Sequence, residues 1–198
     1  MNTVIYGGSF NPPHIGHIRA AEASSRQLSA DRLIIIPDNI PPHKALASGS
    51  PSADSRYEMC VLAFSHIKGA QVSRIELDRG GTSYTSDTVA SLRTLYPNDK
   101  FFLVMGTDML TSFTQWHEYR YLLSECTLAV LARDNGDEET ISRAAAALRD
   151  TCGGSVAVLR CDPYPASSTE IRNTLALGLR PDALTDSVYD YIKTGGLY

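Results

Sequence analysis

The sequence predicts an α/β protein of the Rossmann-like, doubly wound type, with a mainly parallel sheet and helices on both faces. Three observations predict it. Short apolar or β-branched runs alternate with helical stretches along the whole chain, as βαβ units require. Two runs, Leu33-Ile34-Ile35-Ile36 and Phe101-Phe102-Leu103-Val104-Met105, are apolar without alternation, as strands buried on both faces are. Glycines, histidines and basic residues gather just after the predicted strands, where such folds bind ligands.

The elements follow in order. Thr3 to Tyr6 is β-branched and stops at Gly7-Gly8, giving a first strand. Residues 16–28, alanine-rich with spaced apolar positions, form a helix. Leu33 to Ile36 is a strand ended by Pro37, and residues 38–53, rich in proline and glycine, are a long loop of the kind that often carries function. A helix is expected over 54–66, a strand over 70–76, and a helix over 85–96 that Pro97 stops. Phe101 to Gly106 is a strand, 116–123 a short helix, 128–131 a strand, 138–149 a helix and 155–159 a strand. Two helices close the chain near 169–177 and 186–194. No repeat, low-complexity stretch or linker interrupts this pattern, so residues 1–198 are read as one domain.

Composition narrows the function classes. Hydrophobic residues make up 43% and charged residues 20%, the balance of an ordinary globular chain. A net charge of −4 argues against a surface that coats nucleic acid, so an anionic ligand needs a local cluster of donors. No apolar run reaches the roughly 20 residues of a membrane helix, and the amino terminus lacks a basic signal-peptide region. Cys60, Cys126, Cys152 and Cys161 form neither a C-x-x-C pair nor a zinc spacing, and are expected to be reduced. These features predict a cytoplasmic protein without nucleic-acid or membrane partners; a homo-oligomer is left open.

The segment after the first strand, Tyr6-Gly7-Gly8-Ser9-Phe10-Asn11-Pro12-Pro13-His14-Ile15-Gly16-His17, holds more special residues than a turn needs. Paired glycines allow close backbone approach and offer N–H groups, yet the run matches neither G-x-G-x-x-G nor a P-loop. His14 and His17, three apart at a helix start, can face one anion beside the positive helix end. A zinc pair would want i,i+4 spacing and a third ligand; capping or packing is the other alternative. Pro41-Pro42-His43-Lys44 follows the second strand, and by itself reads as a rigid loop with a solvated lysine. Ser167 and Glu170 have capping-box spacing, which puts a helix start there, and Thr169 and Arg172 can face the same oxygens. Trp116, the single tryptophan, is either core or a flat surface for a heterocycle.

Gly7 to His17 resembles the signature of the nucleotidyltransferase superfamily with the H-x-G-H motif, and Ser167-Ser168-Thr169-Glu170-Ile171-Arg172 resembles its second signature. Further segments are similar to its bacterial nicotinate mononucleotide adenylyltransferase branch. They are Pro41 to Lys44, Ser83-Tyr84-Thr85-Ser86-Asp87-Thr88, and Gly106-Thr107-Asp108 with Trp116. Near the end, Val188 to Ile192 and Leu197-Tyr198 join them. The resemblance spans essentially the whole chain. It departs at Ala166, where isoleucine is common, and at Arg133-Asp134-Asn135-Gly136, where Arg-Pro-Gly is common.

The resemblance implies a reaction in which the phosphate of nicotinate mononucleotide attacks the α-phosphorus of ATP. The products are deamido-NAD and pyrophosphate, a step of NAD biosynthesis. It implies Mg²⁺ as cofactor, held mainly by the ATP phosphates rather than by a protein cage. By the same resemblance His14, His17, Lys44 and Arg172 carry catalysis. Gly8, Ser9, Phe10 and Gly16 join the histidines around ATP, as do Ser168, Thr169 and Arg172; Gly106, Asp108 and Arg133 serve its nucleoside side. Asn39, Tyr84, Thr85 and Trp116 hold the nicotinate nucleotide, with Lys44 and the Gly8–Ser9 backbone. A same-fold enzyme acting on phosphopantetheine or on nicotinamide mononucleotide is the nearest alternative. His-Ile-Gly-His also occurs in aminoacyl-tRNA synthetases, but 198 residues leave no room for a tRNA-binding domain and no Lys-Met-Ser-Lys-Ser is present. A non-catalytic nucleotide-binding module would be favoured if His17 or Arg172 were missing.

Overall fold

A computed structural model describes all residues except 43–44, 133–136 and 163, and describes residue 152 without its side chain. Its elements run β1 (Asn2–Gly8), α1 (Ile15–Gln27), β2 (Arg32–Pro37), α2 (Ala53–Phe64), β3 (Ala70–Val72), α3 (Ile75–Arg79), α4 (Thr85–Leu95) and β4 (Lys100–Gly106). They continue with α5 (Thr107–Thr111), a 3₁₀ turn (Phe113–Gln115), α6 (Tyr119–Glu125), β5 (Cys126–Ala132), α7 (Asp137–Cys152), β6 (Ser155–Arg160), α8 (Ser168–Ala176) and α9 (Asp186–Gly195). The strands lie in the order β3-β2-β1-β4-β5-β6, so the direction of winding reverses beside β1, as the Rossmann-like reading expects.

The backbone divides into two compact units. The first comprises Met1–Tyr6, Ala20–Ile34 and Tyr84–Pro163. Within it β1 pairs in parallel with β4 from Asn2↔Lys100 to Ile5↔Leu103, β4 pairs with β5, and β5 with β6. Val4, Leu128, Val130, Phe113 and Leu122 are fully buried, each contributing about 1.5–3 kcal/mol of apolar transfer, as is the smaller Ala129. Arg93 of α4 staples the start of β4 by donating to Glu125 Oε2 at 2.7 Å and to the Asp99 carbonyl at 2.8 Å.

The second unit comprises Gly7–Arg19, Ile35–Ser83 and Tyr164–Tyr198. Ser52 caps α2 by accepting the Ser55 N–H at 3.1 Å, and α2 buries Met59, Cys60, Ala63 and Phe64 on one face. α9, capped by Thr185, packs against α2 and buries Val188 and Ile192. α8 opens with the expected capping box: Ser167 Oγ accepts the Glu170 N–H and Glu170 Oε2 accepts the Ser167 N–H. Among the described residues no helix is long and apolar enough to cross a membrane.

Two expectations from the sequence need correction. The strand expected over 70–76 stops at Val72. The Ser73 N–H still reaches the Ile35 carbonyl, but its Oγ then accepts the Ile75 N–H and Asp78 pairs with Arg74, so a helical turn, α3, replaces the strand. The short helix expected over 116–123 begins later. Trp116 closes the 3₁₀ turn, Glu118 takes a left-handed φ of 50°, and α6 starts only at Tyr119. No glycine or proline marks that break, so neither the break nor α5 could be read from residue type.

Candidate active site

β1 hands the chain to a turn whose side chains are held by its own backbone. Phe10 adopts a left-handed φ of 44°, a strained setting of order 1–3 kcal/mol for a residue with a side chain. Its ring is locked edge-on between Phe64, 5.7 Å away, and His17, 5.1 Å away. His14 is buried and its Nδ1 accepts the Gly16 N–H at 3.1 Å. His17 Nδ1 accepts the His14 N–H at 3.2 Å, and the two rings lie 3.8 Å apart. With both Nδ1 atoms accepting, each neutral imidazole carries its proton on Nε2, the form that donates to an anion. The position of Gly16 follows from the same packing. A Cβ there would stand 2.9 Å from His14 Cε1, so the imidazole sits where only glycine leaves room.

A buried frame holds the backbone on either side of this turn. Ser9 Oγ donates to Asp38 Oδ2 at 2.6 Å, which commits the Ser9 hydroxyl and leaves its N–H as the group that can serve a ligand. Arg56, fully buried on α2, donates to the Ser9 carbonyl at 2.7 Å, to Asp38 Oδ1 at 2.8 Å, and to the Asp38 and Asn39 carbonyls at 2.7 and 3.1 Å. Its Nε has no hydrogen-bond partner among the described residues. Asn39 is fixed further by its own N–H to Ser83 Oγ and its Nδ2 to the Gly81 carbonyl. Burial pushes the neighbouring Cys60 thiol well above its ordinary value, against the pull of Arg56, and keeps it neutral.

α8 reaches the same turn. Ser168 Oγ donates to the Pro12 carbonyl at 3.1 Å. Arg172 Nη1 donates to the Asn11 carbonyl at 2.8 Å and Nη2 to Thr169 Oγ1 at 3.0 Å. No carboxylate pairs with Arg172 among the described residues, so the guanidinium keeps N–H donors for an anion. The second unit thus brings together Gly8, Ser9, Phe10, His14, Gly16, His17, Asn39, Ser168, Thr169 and Arg172. Among the described residues, no cluster of three His, Cys, Asp or Glu is placed to hold a metal ion. The set is one of N–H donors, suited to phosphate.

The other expected site residues lie in the first unit. Tyr84 precedes α4 and Thr85 opens it; the Tyr84 ring stacks on His117 at 4.4 Å, and His117 Nδ1 lies 3.1 Å from Ser86 Oγ. Trp116 is half-buried and leans on the fully buried Phe113, ring centroids 5.3 Å apart. Gly106 ends β4, and Asp108 is exposed in the first turn of α5. Lys44 and Arg133 lie outside the described residues.

Asp38, Arg56, Asn11 and His117 were not anticipated as parts of the site. Arg56 had a legible signal: it shares the three-to-four spacing of Met59, Cys60, Ala63 and Phe64, so an arginine was due on the core face of α2. The roles of Asp38 and Asn11 depend on partners 18 and 161 residues away, which no local pattern announces.

A glycine-and-histidine turn beside the winding reversal, met by a capped helix carrying a donor arginine, defines a nucleotidyltransferase of the Rossmann-like class. Comparison with known proteins agrees. A model of the cytidylyltransferase-like family matches residues 5–174, and the chain belongs to that family. It is 33% identical, over all of its length and 99% of the relative's, to a protein of Shewanella woodyi named "Probable nicotinate-nucleotide adenylyltransferase". A Marinobacter nauticus protein of the same name is 35% identical over 98% of this chain and 95% of its own. Among solved structures, the nicotinic acid mononucleotide adenylyltransferase of Plasmodium falciparum complexed with NaAD superposes with a TM-score of 0.77. It is 19% identical and covers 100% of this chain and 97% of its own, a likeness of fold.

Proposed function

We infer that the protein is a nicotinate-nucleotide adenylyltransferase: it transfers AMP from ATP to nicotinate mononucleotide, giving deamido-NAD and pyrophosphate. The observation that carries the chemistry is the pair of imidazoles with Nδ1 locked onto backbone N–H groups, beside an arginine tethered to the same turn. The acceptor is assigned by full-length relatives that carry this activity in their names.

In this reading an oxygen of the mononucleotide phosphate forms a bond to the α-phosphorus of ATP while the bond from that phosphorus to the bridging oxygen breaks and pyrophosphate leaves. The nucleophile is anionic at neutral pH, because the second pKa of a phosphate monoester is about 6, so no general base is needed. What the residues must supply is alignment and charge stabilisation. His14, His17 and Arg172 hold the triphosphate, and His17 Nε2–H stabilises charge growing on the α-phosphate. The N–H groups of Gly8 and Ser9 orient phosphate oxygens, as does the start of α8 at Ser168 and Thr169. Lys44 neutralises the incoming phosphate. Gly106 and Asp108 hold the adenosine ribose, with Arg133 on the nucleoside side. Asn39, Tyr84, Thr85 and Trp116 take the nicotinate nucleotide, Trp116 against the pyridine ring. Mg²⁺, bound chiefly through the phosphates, supplies further charge neutralisation. We read the chain as a single nucleotidyltransferase domain working in the cytoplasm.

The test is pyrophosphate release by the purified protein with Mg-ATP and, in separate reactions, nicotinate mononucleotide, nicotinamide mononucleotide or 4′-phosphopantetheine. Preference for the nicotinate form is expected. Turnover with phosphopantetheine alone, or with no acceptor, overturns the assignment.

A further inference from the structure

Tyr198 lies far in sequence from every residue assigned above, yet it reaches the phosphate turn. α9 is capped by Gly196, whose φ of 59° turns the chain back; Leu197 N–H then donates to the Ile192 carbonyl, closing the helix in the Schellman manner. That reversal delivers the Tyr198 hydroxyl to Asn11 Oδ1 at 2.6 Å. The opposite end of the same amide is also tied. Asn11 Nδ2 donates to Ser50 Oγ at 2.7 Å, and Ser50 Oγ donates to the Ala47 carbonyl at 2.6 Å. Asn11 is only 5% exposed, so its side chain depends on these protein partners. Its backbone carbonyl is the acceptor that holds Arg172 Nη1.

We propose that Tyr198 is a positioning residue for Arg172: the phenol fixes Asn11 between two hydrogen bonds, and the Asn11 carbonyl in turn aims the guanidinium at the triphosphate. The inference rests on the reading of Arg172 as a triphosphate ligand. The chemistry of the phenol supports it. Burial raises the Tyr198 hydroxyl above its ordinary range, against the pull of nearby Arg172 and Arg56, so it stays protonated and donates throughout the neutral range. A second hydrogen bond from Arg172 Nη2 to Thr169 Oγ1 lies within α8. The Asn11 carbonyl is therefore the bond that joins this guanidinium to the turn, and Tyr198 acts on it through the Asn11 amide.

The experiment compares Tyr198→Phe with the unaltered protein by calorimetric titration with Mg-ATP and with nicotinate mononucleotide, alongside a thermal melt. A double-mutant cycle with Arg172→Lys completes it. Loss of one neutral hydrogen bond should weaken Mg-ATP binding about fivefold. The mononucleotide Kd should be little changed, the melting temperature should fall by only a few degrees as Asn11 Oδ1 loses its donor, and kcat should fall in step where turnover is measured. In the Arg172→Lys background the phenol should no longer matter, because its effect travels through the arginine. Unaltered Mg-ATP binding overturns the proposal. So does an equal loss for both ligands, a lowered melting temperature that accounts for the loss, or an undiminished effect in the Arg172→Lys background. Normal Mg-ATP binding by the unaltered protein without turnover on any acceptor would sink the assigned reaction while leaving the binding comparison decisive for Tyr198.

Discussion

The segments that follow β1 and β4 both leave a parallel strand at glycine, and they are built on opposite plans. After β1, the turn is held by directional bonds: Ser9 to Asp38, both imidazoles to backbone N–H groups, and the carbonyls of Ser9, Asn11 and Pro12 to Arg56, Arg172 and Ser168. After β4, Thr107 donates to Asp137 and Ser112 to the Asp108 carbonyl, but around Trp116 the contacts are between rings, Trp116 on the buried Phe113 and Phe113 edge-on to Tyr119. Charge stabilisation decays when a donor moves a fraction of an ångström, so a phosphate turn needs directional bonds and a buried frame. Stacking tolerates sliding, because a ring offers its face over several ångströms. Directional bonds are concentrated where the proposed chemistry is directional.

Substitutions can break or sharpen that contrast. The largest effect is expected at Arg56. Arg56→Met would leave Asp38 buried without its cation and release the Ser9, Asp38 and Asn39 carbonyls; loss of stability of about 3–5 kcal/mol is expected in a denaturant titration. A loss below about 1 kcal/mol would mean that the turn does not depend on this frame. Next comes His17→Ala, which should lower kcat by roughly 10²–10³ with folding intact, as removal of one transition-state donor does. Near-normal kcat would remove His17 from the chemistry. Trp116→Ala should act on the other region alone, raising KM for the mononucleotide about tenfold, the equivalent of one aromatic stack, while KM for ATP changes little. Equal effects on both substrates would return Trp116 to the core.

The smallest effect is expected at Asp99, just before β4 and at the opposite end of that strand from Gly106. A hydrogen bond from Thr3, with support from the amino terminus and Arg32, lowers its pKa. A carboxylate with a lowered folded-state pKa adds stability that is fully present above its unfolded pKa, about 3.9, and is lost as pH falls through the folded value. The stability difference between the unaltered protein and Asp99→Asn should therefore be greatest at neutral pH and shrink below about pH 4, with kcat unaffected. A difference that grows in acid would contradict the assigned cause.

Much of the fold was legible in the sequence because its signals are local. Apolar runs without alternation marked β2 and β4, alanine-rich stretches marked α1 and α7, and the Ser167–Glu170 spacing marked the capping box of α8, which starts at Ser168, one residue before the expected 169. The failures were local contests decided by single bonds. β3 ended early because Ser73 turned its hydroxyl onto the backbone, and the expected helix at Trp116 gave way because Glu118 took a left-handed conformation. The histidines, Gly16 and Arg172 could be chosen from sequence because their types and spacing are unusual for a plain turn.

What the sequence by itself determined, then, is the alternating architecture, the glycine-and-histidine turn after β1 and the capped helix that bears Arg172. Periodicity, capping and residue type are properties of neighbours along the chain, and they survive without knowledge of the fold. Tertiary structure alone decided how the turn is held. The bonds from Arg56 to Asp38, from Arg172 to Asn11 and from Tyr198 to Asn11 join residues 18, 161 and 187 positions apart. They form because buried donors and acceptors must find partners wherever folding brings them, and chain spacing carries no record of that search.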